Sequence, residues 1–498
     1  MASSPSRRAI LLAALLLATG CSSSAPARTD SRPVTLTIGL PQVRQLGPAR
    51  SLDILTQGLF VEPLTTFDQH GRSAPRVVER WARSDDGLTW RLTLRAGVTF
   101  QDGTPLTNAE VRDAIVRDAG AAGVRGYRVC LPDVVSAVPE GDRDIVLRLS
   151  RPCAFLLDEL YVDLRRTTPD GQEVGTGAYR VVARAQDELT LEANPHYHSG
   201  RPAIDRVVLR AYDTLRSAWA EMMRGNVDFV WEVSPDAIEF LKDQSGTEVR
   251  TFLSFNCLSI VFNARRPALG SSEVRRALSL AVDRAELVQQ GLKGHGTPAD
   301  VPVWPNSWAL DRARPVAASD PAEARALLAG RPPVTFTCLL PENLAVFERL
   351  ALLVQRQLRA VGVDMRLEAV PAPVFFQRIA RGEFDAVLIN PLGGPYAVNH
   401  YLLWHTPGAV RQFNVFGYSS AGVDAALEAM REARDDAGMR AAMAAFVAAM
   451  RDDPPAIFMA WPALAQAVTR RFVIPASADG RDALQLVPWW TLGGEEGR

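Results

Sequence analysis

Lysine is almost absent from this 498-residue chain. Only Lys242 and Lys293 stand among 55 basic residues, and the arginines that make up the rest are scattered. Against 56 acidic residues the formal net charge is −1, so the basic excess of nucleic-acid binders is missing. Long apolar runs are missing too: none exceeds the length of Ala9 to Ala18, about half the ~20 residues of a membrane-spanning helix. Five cysteines and six histidines are too few and too dispersed for a zinc scaffold. No G-x-x-x-x-G-K-[ST] phosphate loop, G-x-S-x-G elbow or H-E-x-x-H helix occurs. Asp85-Asp86 and Asp452-Asp453 read as turn and surface acids rather than an acid–base couple. His196-Tyr197-His198 would put two imidazoles on one face of a strand. Asn194-Pro195 and Ser199-Gly200 on either side make it a turn-rich loop instead. The expectation is no catalytic site, no metal and no cofactor.

What is present begins with an address. Arg7 and Arg8 precede the apolar run, and small residues follow it, as in a secretory signal. Leu17-Ala18-Thr19-Gly20-Cys21 resembles the lipobox of bacterial lipoproteins. That resemblance implies a signal peptide over 1–20, lipidation of Cys21, and a small, polar tether over 21–33. Several acyl chains on one residue anchor stably, at roughly 0.8 kcal/mol per buried CH₂. Ser6-Arg7-Arg8-Ala9-Ile10-Leu11 also suits twin-arginine export, so the export route stays open.

The composition, 47% hydrophobic and 22% charged, is that of folded protein, long enough for roughly three domains of ~150 residues. Val34 to Gly39 reads as a strand. Leu88, Trp90, Leu92 and Leu94 share one face at period two after the Asp85-Asp86-Gly87 turn. Two alternating segments, Asp133 to Val138 and Asp144 to Leu149, flank Glu140-Gly141-Asp142 and predict a hairpin with a two-residue loop. If residue 140 faces 143, Cys130 faces Cys153 at the open end. In an exporting compartment they can pair, because facing Cα atoms lie about 4.5–5.5 Å apart; Cys257 and Cys338 are expected free. Further on, Val274 to Val288 shows one apolar helical face with Ser271 or Ser272 as cap, and Asp320-Pro321-Ala322-Glu323 opens another helix. A helix from Asn343 to Ala360, a strand Val363 to Glu368, a helix Val374 to Arg381 and a strand Phe384 to Asn390 alternate as in an α/β lobe.

The stretch from Arg76 to Ala114 resembles the signature of family 5 extracellular solute-binding proteins, the oligopeptide, dipeptide and nickel-chelate receptors of ATP-binding-cassette importers. The matching elements are Trp81, Ser84-Asp85-Asp86-Gly87-Leu88-Thr89-Trp90, Gly97-Val98 and Asp102-Gly103-Thr104-Pro105-Leu106, with Gln101 where the family usually has His. Gly58 to Leu64, Gly175-Thr176-Gly177-Ala178-Tyr179, Asn194-Pro195-His196-Tyr197, Gly225 to Asp228 and Val274 to Arg284 follow in the family's order. The resemblance implies an α/β fold: a two-lobed periplasmic-binding-protein clamp, class II-like, with an additional domain inserted in the first lobe. Lobe one takes 34–55, 175–260 and 455–498, the inserted domain 56–174, and lobe two 261–454. It implies a monomeric receptor for a small peptide or peptide-like solute, lipid-anchored in the cell envelope (periplasmic in a Gram-negative cell). Its partners are the permease and ATPase subunits of an importer.

Family ligand contacts concentrate after the strand that ends at Asn390. Peptide receptors carry an aspartate in that loop for the peptide's ammonium; here the position falls near Gly394, and no acid occurs between Asp385 and Asp424. Gly393-Gly394-Pro395-Tyr396 is similar to the Gly-x-Pro-Tyr of the nickel-chelate branch, where the tyrosine lines the cavity. The resemblance thus implies Tyr396, Asn390, Gly394, His400 and Trp404 as ligand-binding residues, with His405 beside them. A metal chelate, an opine or a sugar is the alternative solute.

Overall fold

The computed structural model describes residues 33–41, 52, 56, 58–120, 128–233, 238, 246–391, 393–394, 396–406, 414–475 and 487–493. The expected signal, Cys21 and all of the tether but Pro33 lie outside them.

One strand organises both lobes. Ala456–Thr469 alternates between two sets of partners along its 14 residues, about 46 Å of extended chain at ~3.3 Å per residue. Its first part pairs antiparallel with Leu258–Phe262, and its second part with Thr247–Leu253 and Phe229–Val233. It thereby joins two sheets into one 12-stranded sheet. On the first-lobe side, Thr35–Pro41 runs parallel between Arg206–Tyr212 and Phe229–Val233. On the second, Thr335–Pro341 runs parallel to Asp364–Val370 and to Ala386–Ile389. Residues 258–261 and 456–460 pair within the second-lobe sheet. The pairing therefore changes lobes near 254–257 and 461–463, where Ser254 N–H donates to the Pro462 carbonyl at 2.9 Å.

The helices follow local chemistry. Ser271 caps Ser272–Leu280 by accepting from Val274 N–H, and Asp320 caps Pro321–Leu328 by accepting from Glu323 N–H at 2.8 Å. The single helix expected through Val288 is broken. Asp283 accepts from Glu286 N–H and starts a new turn, which widens to π geometry over Leu287–Gly291.

The inserted domain is a four-stranded antiparallel sheet, in the order Val78–Arg83, Thr89–Leu94, Asp144–Leu149, Val134–Glu140. Helix Asn108–Gly120 lies against it. Trp90, Leu92, Leu94, Ile145, Leu147 and Leu149 are all buried, the period-two face read from the sequence. The hairpin loop has three residues, not two: Glu140 faces Asp144, and Gly141 takes φ +54°. A bulge between Val134 and Ser136 removes the extra residue. Cys130 and Cys153, 5.6 Å apart at Cα, form a disulfide.

At the neck between this domain and lobe one, Gln101 acts as a staple. Its amide donates to the carbonyls of Phe60 (2.9 Å) and Tyr179 (2.7 Å) and accepts from Gly175 N–H (2.9 Å). Gly175 and Gly177 must be glycine there, because a Cβ would sit 2.2 Å from the carbonyl oxygens of Phe60 and Leu59 respectively. Glu62, also buried, accepts from Tyr197 Oη at 2.8 Å and meets His198 Nε2 at 2.7 Å. His196 instead lies against Gly103, so the two imidazoles do not converge. Among the described residues no three His, Cys, Asp or Glu are grouped to hold a metal, and no helix is long and apolar enough to cross a membrane.

Candidate functional site

The loop after Ala386–Ile389 is pressed onto the lobe crossing by two glycines. A Cβ at Gly393 would lie 2.7 Å from the Phe255 carbonyl and 3.1 Å from the Trp461 ring. Gly394, at φ +79°, lies equally close to the Phe255 ring. Asn399 ties the loop down by donating to the Gly393 carbonyl at 2.6 Å. This seats Tyr396 at the start of helix Ala397–Trp404. Its half-buried ring stands edge-on to Phe67 of the inserted region at 4.2 Å and tilts toward Phe255 at 6.2 Å. Phe255 in turn meets Trp304 at 5.4 Å. Three parts of the chain therefore meet at one aromatic cluster.

Beyond Tyr396 a cavity of about 350 Å³ opens between the inserted domain and lobe two, with Ala397 at its margin. That is the size of a small-molecule site. Trp81, Trp90 and Phe155 line one side; Trp308, Met439 and Met443 line the other. Its charged groups hold the two sides together. Arg72 grips Asp436 at two points (3.2 and 2.5 Å) while lying 4.0 Å over the Trp308 ring. Arg83, 5.3 Å over Trp90, donates to the carbonyls of Ala433 and Arg434, and Arg434 donates back to the Asp85 carbonyl at 2.8 Å. Burial, then repulsion from Arg434, lowers the Arg83 pKa. Asp435 caps helix Asp436–Asp452 by accepting from Gly438 N–H at 2.7 Å. Among the described residues Asp158 accepts only from Ser73 Oγ, at 3.2 Å, and burial, aided by the adjacent Glu159, pushes its carboxyl up to about 7.

The residues named from sequence separate into two groups. Tyr396 belongs to the cluster, Gly394 is buried beneath it, and Asn390 is exposed at the strand's end. Leu392 and Pro395 lie outside the described residues. His400 and Trp404 are core side chains, contrary to the expected contact role: they are 2% and 0% exposed and offer a solute no surface in this conformation. The His400 ring lies 5.2 Å from Phe446, and burial pushes its pKa down to about 4. Trp404 sits among Phe416, Tyr418 and Phe458. His405 stacks on Tyr401 at 4.2 Å and meets Glu428 at 3.0 Å. The cavity residues Arg72, Arg83, Asp158 and Asp436 were not legible as a site, because Arg72 and Asp436 are 364 positions apart. The one signal was that Trp81 and Trp90 fall inside the family signature.

The sequence profile of the bacterial extracellular solute-binding proteins, family 5, matches residues 73–411. A probable di/tripeptide-binding protein of Pseudomonas aeruginosa is 25% identical over 375 residues, covering 67% of this chain and 71% of its own. The oligopeptide-binding protein AppA of Bacillus subtilis is 22% identical over 473 residues, covering 86% and 85%. Among solved structures, NikZ of Campylobacter jejuni in complex with Ni(L-His) superposes with a TM-score of 0.77 at 22% identity, over 92% of this chain and 99% of its own. CtaP of Listeria monocytogenes gives 0.80 at 19% identity, over 93% and 100%. At such identities the superpositions speak to the fold alone.

Proposed function

The chain belongs to the family 5 bacterial extracellular solute-binding proteins, and from that premise we propose that it is the substrate-binding lipoprotein of an ATP-binding-cassette importer. It captures peptides or peptide-like solutes as the lobes close and delivers them to the permease. Family membership makes it a transport receptor and not an enzyme. The observation that carries the solute reading is the 350 Å³ cavity that Ala397, the residue after Tyr396, helps to line, walled by two parts of the chain that are held together by side-chain contacts. A closed clamp buries its ligand in this way, with ligand contacts offsetting the cost of closure. Tyr396, with Gly394 and Asn390 in its loop, is the ligand-facing element on lobe two; His400 and Trp404 hold that loop from behind. The lipobox supports export and anchoring at Cys21, in the periplasm of a Gram-negative cell, with the receptor acting as a monomer.

A nickel chelate is the second reading, favoured by the Gly-x-Pro-Tyr sequence ending at Tyr396. Calorimetry on purified protein with di- and tripeptide mixtures, and separately with nickel and histidine, decides between them. Peptide binding at micromolar concentration supports the first reading. Binding of the nickel–histidine mixture alone replaces it with the second.

A further inference from the structure

Among the ionisable side chains that wall the cavity, five are tied across the seam or into a helix cap, and among the described residues one is not. Asp436 is held by Arg72, and Asp435 by a backbone N–H. Arg83 and Arg434 donate to carbonyls across the seam. Among the described residues Asp158 has one neutral hydroxyl, at the long end of the hydrogen-bonding range. Its neighbour Glu159 shows what a structural carboxylate looks like here: it is 2% exposed and accepts backbone N–H bonds from Val129, Cys130 and Leu131. Asp158 is half-buried and lines the cavity without such partners, which leaves its charge to be met by something else.

The surroundings say what that something is. Trp308 and Trp90 already lie under guanidinium groups of the protein, whereas among the described residues Trp81 has no cation over its ring. A carboxylate and an indole with no cation of the protein over it, lining one cavity, are the two elements that hold an organic cation. The cavity's other charged pair, Arg83 and Arg434, repel each other and are met mainly by neutral carbonyls, which suits an added carboxylate.

We propose that Asp158 is the docking carboxylate for an ammonium group of the solute, so that the cavity selects zwitterionic, amine-bearing molecules from the inserted domain's side. This rests on the receptor reading above and names its substrate class. The raised pKa of the empty site agrees: a bound ammonium would hold the carboxyl ionised and release a proton on binding near neutral pH.

The test compares trialanine with N-acetyltrialanine, and free amino acids with their N-acetyl forms, by calorimetry and native mass spectrometry on the full protein and on Asp158→Asn. Asparagine keeps the shape and the Ser73 contact, and an unchanged melting temperature confirms folding. Wild type should prefer the free amine at least tenfold; Asp158→Asn should lose that preference while the acetylated compounds bind as before. Ser73→Ala, which leaves the carboxylate in place, should retain the preference. Equal binding of free and acetylated compounds by wild type overturns the proposal, as does a preference that survives in Asp158→Asn. If amino acids bind through Asp158 but peptides do not, the peptide reading falls and the ammonium site stands. If no amine of either kind binds wild type, both fall.

Discussion

Arg431 of lobe two has no exposed side-chain surface and is ion-paired with Asp133 of the inserted domain. The same guanidinium donates to the Pro152 carbonyl, and the Arg431 carbonyl accepts from Ala154 N–H at 2.7 Å. A few residues away, Arg72 and Asp436 make the matching connection at the surface.

These two pairs should differ sharply in energy. Arg431→Leu leaves Asp133 with Arg151 at 3.4 Å, so the carboxylate is not wholly abandoned; we expect a loss near the lower end of the range for breaking a buried pair, about 3 kcal/mol. Arg72 and Asp436 are 42% and 51% exposed, and their coupling in a double-mutant cycle should stay below about 1 kcal/mol. Urea unfolding measures both. A coupling above 2 kcal/mol at the surface pair, or no loss at Arg431, would reverse the ranking.

His400 should make stability depend on pH. Its folded pKa, about 4, lies below the ordinary histidine value of 6.5. Between those values the unfolded chain takes up a proton that the folded protein refuses. The stability contribution is therefore complete above about pH 6.5 and declines as pH falls toward 4, by about 3 kcal/mol in all. His400→Leu should flatten the stability difference across that window. Parallel pH dependence in the two proteins would exclude His400 as its source.

The thiols should sort cleanly. Burial pushes the thiols of Cys257 and Cys338 up to about 12, so neither should react with iodoacetamide at pH 8 until the protein unfolds. Cys130 and Cys153 should remain unlabelled without reductant. Replacing both by Ala should cost roughly 3 kcal/mol, the chain-entropy value for a loop of this size. Peptide mass mapping reads the labelling, and modification of Cys257 or Cys338 in the native state contradicts it.

Cys21→Ala should move the protein from the membrane pellet into the soluble fraction, with solute binding unchanged. Sedimentation with membranes despite the substitution would remove the lipid-anchor proposal.

The legible parts of the fold were those set by neighbours in sequence. Asp320, Pro321 and Glu323 suffice to start a helix, and the alternation through Leu94 suffices to face a strand. Long-range packing decided the rest. The helix expected through Val288 fails because Asp283 recaps it and because Gly291 lies under helix Ala345–Arg359, where a Cβ would be 2.4 Å from the Leu350 side chain. In the loop before Tyr396, the close approach to Phe255 and Trp461 was readable from the paired glycines. The burial of His400 and Trp404 was legible too: Val398 to Trp404 is largely apolar, and nearly all of it is buried. Asp158 is invisible in sequence, since its isolation depends on which partners the fold fails to supply.

The shared strand Ala456–Thr469 has a consequence for how the chain is made. Both sheets need it as an interior member, and nine-tenths of the residues precede it in synthesis. Until it arrives, Leu258–Phe262 and Phe229–Val233 each lack a partner, so neither lobe can close its hydrogen-bonded ladder on its own. Pairings of such long sequence separation form slowly, so both lobes wait on the last tenth of the chain. In refolding followed by pulsed hydrogen exchange, amides on both sides of Pro462 should therefore gain protection in one phase, not lobe by lobe.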